Sequence, residues 1–412
     1  MCLGKRSKSI LIPKYKGDCR VFDQNRPATK DYPIFTKKNV FTPKQKINLI
    51  KILPFGVIWG LFGLLYALIE YSVLGGSEVY PYTSNPYNFS VTLPIITVSS
   101  IIMGLFFGTM EVKFFNTLFH NRQFREKIIF KTLITILFML VLLMGLTAVL
   151  ASKGLEVSIF HPKVLEAVKL FVSRSAFWIN VGYGIVVTIL SLFVNETSYY
   201  LGGSVFNNFF TGKYHHPKEE VRIFMFLDMK SSTTIAEKLG HINYFQLLNK
   251  YYADTTEAII QTSGEVYQYA GDEVIVSWNL KNGLKDNNCI RCFYMIKETF
   301  RVESENYLKE FGLIPEFKAG FHYGTVTTGE IGVLKKEIFF TGDVLNTTAR
   351  IQSNCNKYNT DILISEDLLL ELTEDNFYKQ SEIGECELKG RQESIKLFSI
   401  SENRQELKAE NK

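Results

Sequence analysis

Four stretches of the chain contain no charged residue: Ile52–Ile69, Val91–Met110, Thr132–Ser152 and Ala176–Asn195. Each is about as long as a helix that crosses a bilayer, roughly 20 residues. Soluble helices of that length normally carry charge on one face, so the pattern predicts four membrane spans within residues 50–200. The fourth is the most polar, with Asn180, Thr188 and Ser191. A polar connector, Leu201–Glu220, holds Gly202, Gly203, Gly212 and Pro217.

Beyond the connector the pattern changes to short apolar runs and amphipathic segments. The apolar run Val221–Leu227 (VRIFMFL) reads as a buried strand. A long helix is expected over Ser232–Thr262, then strands Glu265–Ala270 and Val274–Trp278 joined at Gly271–Asp272. A helix over Asn288–Phe311 and a strand over Glu316–Tyr323 follow, with short strands around Val326 and Phe339. A helix from Asp343 to Asn354 and strands at Ile362–Ile364 and Ile395–Ile400 complete the pattern. Strand–helix–strand–strand–helix–strand is the ferredoxin-like order. The expected fold class is thus an α-helical four-span membrane domain followed by an α+β ferredoxin-like domain over 221–402. A basic segment (1–49) precedes them and a polar tail (403–412) ends the chain. No repeat of 20–50 residues is present.

Composition agrees with a mixed molecule. Of 412 residues, 46% are hydrophobic and 21% charged, and the mean hydropathy is +0.04. These values exclude collagen, low-complexity and disordered classes. The net charge of +5 has a local origin: the first 49 residues hold twelve Lys and Arg, Glu70–Ser90 holds none, and the next loop holds Lys113, Arg122, Arg125, Lys127 and Lys131. By the positive-inside rule the N-terminus, that second loop and the C-terminal half face the cytoplasm. The expected location is a multi-pass protein of the inner or plasma membrane, with the lipid bilayer as a partner and no role for nucleic acid. No cleavable signal peptide is expected, because residues 1–49 contain no apolar run. All six cysteines, Cys2, Cys19, Cys289, Cys292, Cys355 and Cys386, fall on the cytoplasmic side, where thiols stay reduced. Cys289 and Cys292 form a lone CxxC, which reads as packing ahead of metal binding.

Three places in the second half carry chemistry. Asp228 ends a buried strand just before a helix that opens Lys230–Ser231–Ser232–Thr233–Thr234. A carboxylate there can hold a hard cation, and free N–H groups at the helix start can cradle phosphates; taken alone, Asp228 reads as a helix cap ahead of either role. Gly271–Asp272–Glu273 reads as a tight turn whose Gly-Asp serves backbone geometry. Set beside Asp228, it supplies a second carboxylate for a two-metal site. In Gly342–Asp343–Val344–Leu345–Asn346–Thr347–Thr348–Ala349–Arg350, Asn346 and Arg350 are four apart and share one helix face. Alone they read as a solvated face; together with the carboxylates they suit a transition state that gathers charge on phosphorus.

Phe226–Leu227–Asp228, Tyr269–Ala270–Gly271–Asp272–Glu273 and Thr341–Gly342–Asp343…Asn346…Ala349–Arg350, in that order, resemble the class III adenylate/guanylate cyclases over about residues 215–400. The resemblance implies that Asp228 and Asp272, with the backbone carbonyl of Met229, bind two Mg²⁺ or Mn²⁺ ions. It implies that Asn346 and Arg350 stabilise the transition state as the ribose 3′-hydroxyl attacks the α-phosphate of ATP. The products would be pyrophosphate and 3′,5′-cyclic AMP, a phosphorus–oxygen lyase reaction used in intracellular signalling. It further implies a homodimer with composite sites, metal residues from one subunit and the Asn/Arg pair from the other. Ser231 and Ser232 would lie at the phosphates, and Lys389 or Arg391 would contact the terminal phosphates. The base-reading positions depart from the adenylate-specific pattern: Gln268 stands where Lys is usual, and Phe339 where Asp or Thr is usual. Gln offers both a donor and an acceptor and Phe offers neither, so GTP stays open beside ATP. Two rivals remain. A GGDEF-type diguanylate cyclase shares the fold, but Ala270 and Val274 break its motif and it gives the 342–350 element no role. The other is a membrane sensor whose cyclase-like domain only binds nucleotide; against it, all four of Asp228, Asp272, Asn346 and Arg350 are present.

Overall fold

The structure, a computed structural model, describes residues 42–79, 87–119, 122–374, 377–387 and 394–403. Most of the basic N-terminal segment, nearly all of the polar tail, and Lys389 and Arg391 lie outside the described residues.

The four uncharged windows are the centres of longer helices. These are α1 (Pro43–Leu74), α2 (Phe89–Met110), α3 (Phe124–Leu155) and α5 (Ser175–Leu201). All four are long and apolar enough to cross a membrane. α1 starts before its window because Thr42 and Gln45 form a capping box and Pro43 fills the first turn, where a missing N–H costs nothing. It stops at Gly75, whose φ of 58° closes the helix. α2 runs on into a π-helical turn, Glu111–Phe115. A short amphipathic helix, α4 (Pro162–Ser173), joins α3 to α5; its charged residues hid it from a search for uncharged windows.

Small residues let α1 and α2 approach closely. Gly56 and Gly60 on α1 and Gly104 and Gly108 on α2 both have the G-x-x-x-G spacing. A Cβ on Gly104 would come 2.5 Å from the Phe55 carbonyl oxygen, and one on Gly108 3.0 Å from that of Ile52. Trp59 and Phe107 fill the adjoining space with ring centroids 5.2 Å apart.

The stretch read as a polar connector contains a helix, α6 (Gly203–Phe210), and β1 already begins at Lys218. The second half then runs β1 (Lys218–Met229), α7 (Ser232–Gln261), β2 (Glu265–Ala270), β3 (Glu273–Asn279), α8 (Asn288–Val302), α9 (Ser304–Phe311), β4 (Phe317–Ile331) and β5 (Glu337–Thr341). It ends with α10 (Asp343–Ser353), β6 (Ile362–Ser365), α11 (Glu366–Glu371), β7 (Tyr378–Glu387) and β8 (Ser394–Glu402). The sheet order is β2-β3-β1-β4-β6-β8-β7, with β5 paired to the far end of β4. Its first four strands, antiparallel to one another, give the ferredoxin-like arrangement with β1 inside it, and β6 joins β4 in parallel.

β1 is apolar at nearly every position because both of its faces are covered. Ile223, Met225, Leu227 and Met229 face the core under α7 and α8, whereas Phe224 and Phe226 face Val326, Phe340 and Val344. Cys289 and Cys292 belong to the first of these cores, and burial pushes both thiols up to about 12. Three local expectations differ from the structure. The strand at Val326 is not separate: β4 passes straight through it, pairing with β1 and then β5. The helix expected over Asn288–Phe311 breaks at Glu303 into α8 and α9. β7 is an added edge strand whose polar residues and Gly384 bulge conceal any alternation.

Replacing Gly104 by Val should drive a side chain into the α1 backbone. The expected result is a bundle less stable by about 1–3 kcal/mol, read as a lower thermal unfolding temperature of the detergent-purified chain.

Candidate active site

Antiparallel register brings the acidic residues together. Asp228 near the end of β1 pairs with Glu273, the first residue of β3. Ala270 pairs with Glu273, so Gly271–Asp272 is a two-residue hairpin loop, and Gly271 takes the positive φ (68°) that such a turn places on glycine. Asp272 thereby lies beside Asp228, close enough to hydrogen-bond with it. The Tyr252 hydroxyl donates to the Gly271 carbonyl oxygen and anchors the turn to α7.

The other flank of Asp228 is positive. Lys318, its cross-strand partner on β4, places Nζ 3.2 Å from Oδ2. Gln352 Nε2 on α10 donates to the same oxygen at 2.8 Å. α10 can lie this close because β4 has glycine beneath it: a Cβ on Gly320 would meet the Gln352 backbone nitrogen at 2.4 Å.

Burial, and then the Asp272 carboxylate beside it, raise Asp228 above the ordinary carboxylate range, with Lys318 opposing. Glu273 is pushed up to about 7 by burial and by the Asp228 and Asp272 charges. Burial and Asp272 also hold the Tyr252 phenol up at about 12. These shifts share two causes, burial first and then the crowding of negative charge at this edge.

The remaining residues singled out from the sequence lie around this edge, and not all converge on it. Met229 follows Asp228 and is buried. Ser231 sits at the start of α7 in left-handed geometry (φ 57°), and Ser232 hydrogen-bonds with Tyr244. Lys230 is committed elsewhere, to Asp361 at 2.6 Å. Gln268 is exposed on β2 beside a bulge. Phe339 on β5 is 43% exposed and lies near Tyr267, ring centroids 6.4 Å apart.

Asn346 and Arg350 share one face of α10, Asn346 exposed and Arg350 partly so. The opposite face of the helix is buried through Val344, Thr348 and Ile351. The α10 residue that touches Asp228 is Gln352; Arg350 and Asn346, two and six positions earlier, fall on a different face of the helix. Lys318 and Gln352 escaped the sequence reading. Their signals were a lone Lys inside an apolar strand and a polar residue on the buried face of a helix.

Residues 213–402 match the family model described as the adenylate and guanylate cyclase catalytic domain. The chain is similar to adenylate cyclase 2 of Rhizobium meliloti (strain 1021), 34% identical over 210 residues, which is 51% of this chain and 58% of that protein. It is also similar to an adenylate cyclase of Anabaena cylindrica, 25% identical over 180 residues, covering 43% of this chain and 36% of that one. The chain therefore spans between about a third and somewhat over half the length of these relatives. Among solved structures, a bacterial light-regulated adenylyl cyclase superposes with a TM-score of 0.48 at 19% identity, over 56% of this chain and 67% of that one.

The crowded carboxylates predict an unusual pH response without metal. Glu273 binds protons more tightly in the folded protein (about 7) than an ordinary glutamate does (4.5), so stability falls as pH rises between those values. Thermal unfolding in chelator should occur at lower temperature at pH 7.5 than at pH 5. Glu273→Gln should flatten that difference, and a divalent cation should reduce it.

Proposed function

We propose that residues 213–402, a class III cyclase catalytic domain, convert ATP to 3′,5′-cyclic AMP and pyrophosphate, and that the four apolar helices anchor this domain in a membrane. The observation that carries the reading is the pair Asp228–Asp272, set side by side by strand register. The donor set suits a hard divalent cation. Two carboxylates repel each other there, and a cation would remove the crowding that raises Asp228 and Glu273. Among the described residues no three His, Cys, Asp or Glu side chains converge as a metal cage. A pair of carboxylates, the Met229 carbonyl and substrate phosphate oxygens is the composition Mg²⁺ commonly accepts. Bound there, two Mg²⁺ or Mn²⁺ ions would supply charge neutralisation and a more acidic ribose 3′-hydroxyl.

The chain's own residues do the rest. Lys318 and Gln352 hold Oδ2 of Asp228, and neither contacts its other oxygen, which can serve a cation. The N–H groups opening α7 at Ser231–Ser232 cradle phosphate oxygens. Asn346 donates a neutral hydrogen bond and Arg350 a charged one to the α-phosphate as negative charge accumulates. Because that pair faces away from its own carboxylates, it acts on those of a second copy, and the unit of activity is a homodimer with two composite sites. Gln268 and Phe339 border the base. Neither is the residue usual for adenine, which is the specific observation favouring GTP as the second reading. Lys389, a further phosphate contact in this scheme, lies outside the described residues. The charge distribution along the chain places both ends of the protein in the cytoplasm.

Turnover of ATP against GTP by the purified chain with Mn²⁺, read by mass spectrometry, tests the reaction. Cyclic AMP is the expected product; a cyclic dinucleotide, or no cyclic nucleotide with either substrate, overturns the reading. Asp228→Ala and Arg350→Ala should each lower turnover at least about 10²-fold. Co-expressed, they should restore about a quarter of the parental rate, since half the dimers are mixed and each mixed dimer has one intact site. No recovery would exclude composite sites.

A further inference from the structure

Three helices of the N-terminal bundle each send charged side chains to one buried point. Lys131 on α3 is fully buried, and its Nζ lies 2.5 Å from both Glu111 Oε1, at the end of α2, and Glu196 Oε1 on α5. Both carboxylates are 1% exposed. Asn195 Nδ2 donates to Glu111 Oε1 at 3.2 Å, and Lys127 Nζ sits 4.0 Å from Glu196 Oε2. Two carboxylates and two ammonium groups balance in charge. Burying such a network is expensive, and apolar residues of similar volume usually hold helices together as well or better. Packing alone therefore does not account for these residues, and ionisable groups within a membrane bundle mark functional positions.

A second feature lies against the cluster. Glu111 heads the π-helical turn Glu111–Phe115, a distortion that re-aims side chains and recurs at functional sites. Its second oxygen, Oε2, has no hydrogen-bond partner, and neither do Trp59 Nε1 and Thr188 Oγ1. All three residues line one cavity of about 10 Å³, enclosed also by Phe55, Phe107 and Phe115. That is about the volume and polarity one water molecule needs. The indole N–H can only donate, so the occupant must accept a hydrogen bond there, which rules out a bare cation. A water that accepts from Trp59 and donates to Glu111 and Thr188 satisfies all three groups.

We propose that Glu111, Trp59 and Thr188 form a buried water-binding site, and that this hydrated charge cluster is a control point which sets the position of α5. Glu196 lies five residues before the end of α5, after which α6 and β1 lead directly to Asp228. Loss of the water or of one charge would unbalance the cluster and release the helix that enters the catalytic half. The link to turnover rests on the cyclase reading above; the link to helix position does not.

The test uses the full chain in lipid nanodiscs with two readouts, amide hydrogen exchange over residues 196–217 and cyclic nucleotide turnover. Lys131→Met should speed exchange in that segment about tenfold or more and change turnover at least about threefold, because it strands two carboxylates. Trp59→Phe, which removes the N–H facing the cavity together with part of the ring but changes no charge, should shift both in the same direction by about twofold. The neutral quadruple variant Glu111→Gln/Lys127→Met/Lys131→Met/Glu196→Gln leaves no uncompensated charge in the cluster, and decides the matter if Lys131→Met fails to insert. Altered exchange and turnover in the quadruple variant support the proposal. Parental values for both would mean that the cluster only packs the bundle. If the parent makes no cyclic nucleotide, the proposed function falls and the exchange measurement still decides this inference.

Discussion

Two carboxylates forced together at the edge of a sheet are the constraint around which the C-terminal half is arranged. Asp228 cannot move because β1 is paired on both sides from Arg222 to Asp228, and Asp272 cannot move because a two-residue turn leaves the hairpin no slack. Neighbouring residues then make the repulsion tolerable. Lys318 and Gln352 occupy one oxygen of Asp228, and Tyr252 ties down the turn. What they do not supply is a full counter-charge, so the edge retains a demand for cations. A fold that stores this demand is preorganised for positively charged groups.

The helix α10 meets that constraint from its other side. Gly320 lets it press onto β4, and Gln352 on its inner face touches Asp228. The same rotation turns Asn346 and Arg350 outward, since residues six and two positions earlier fall on a different face of a 3.6-residue helix. One helix thus serves its own acidic edge while presenting its basic, hydrogen-bonding face elsewhere.

The N-terminal bundle handles charge by the opposite principle. Where the sheet edge leaves negative charge unbalanced and open to solvent, Glu111, Glu196, Lys127 and Lys131 balance almost completely and are sealed from it. Charge is cheap to leave unbalanced only where water or a ligand can reach it. The two regions share a covalent path through α5, α6 and β1, so a displacement at Glu196 has a short route to Asp228.

Local patterns in the amino-acid order were enough to read the four long helices, the β1–α7–β2–β3 unit and the three motifs that hold Asp228, Asp272 and the Asn346/Arg350 pair. Each depends on neighbours within a few residues: an uncharged run, an alternation, a Gly-Asp turn, an i,i+4 spacing. Lys318, Gln352 and the Glu111–Lys131–Glu196 cluster were illegible for the complementary reason. Lys131 stands in a loop-flanking basic run and reads as part of the positive-inside signal, and Glu111 ends an apolar window. Nothing in the sequence relates positions 111, 131 and 196, which are 20 to 85 residues apart. Edge strand β7 and the break at Glu303 were likewise settled by what packs against them. The sequence by itself determined the periodicities and the chemical groups available. Tertiary structure alone decided which of those groups meet, because strand register and helix packing bring together residues that no local spacing connects.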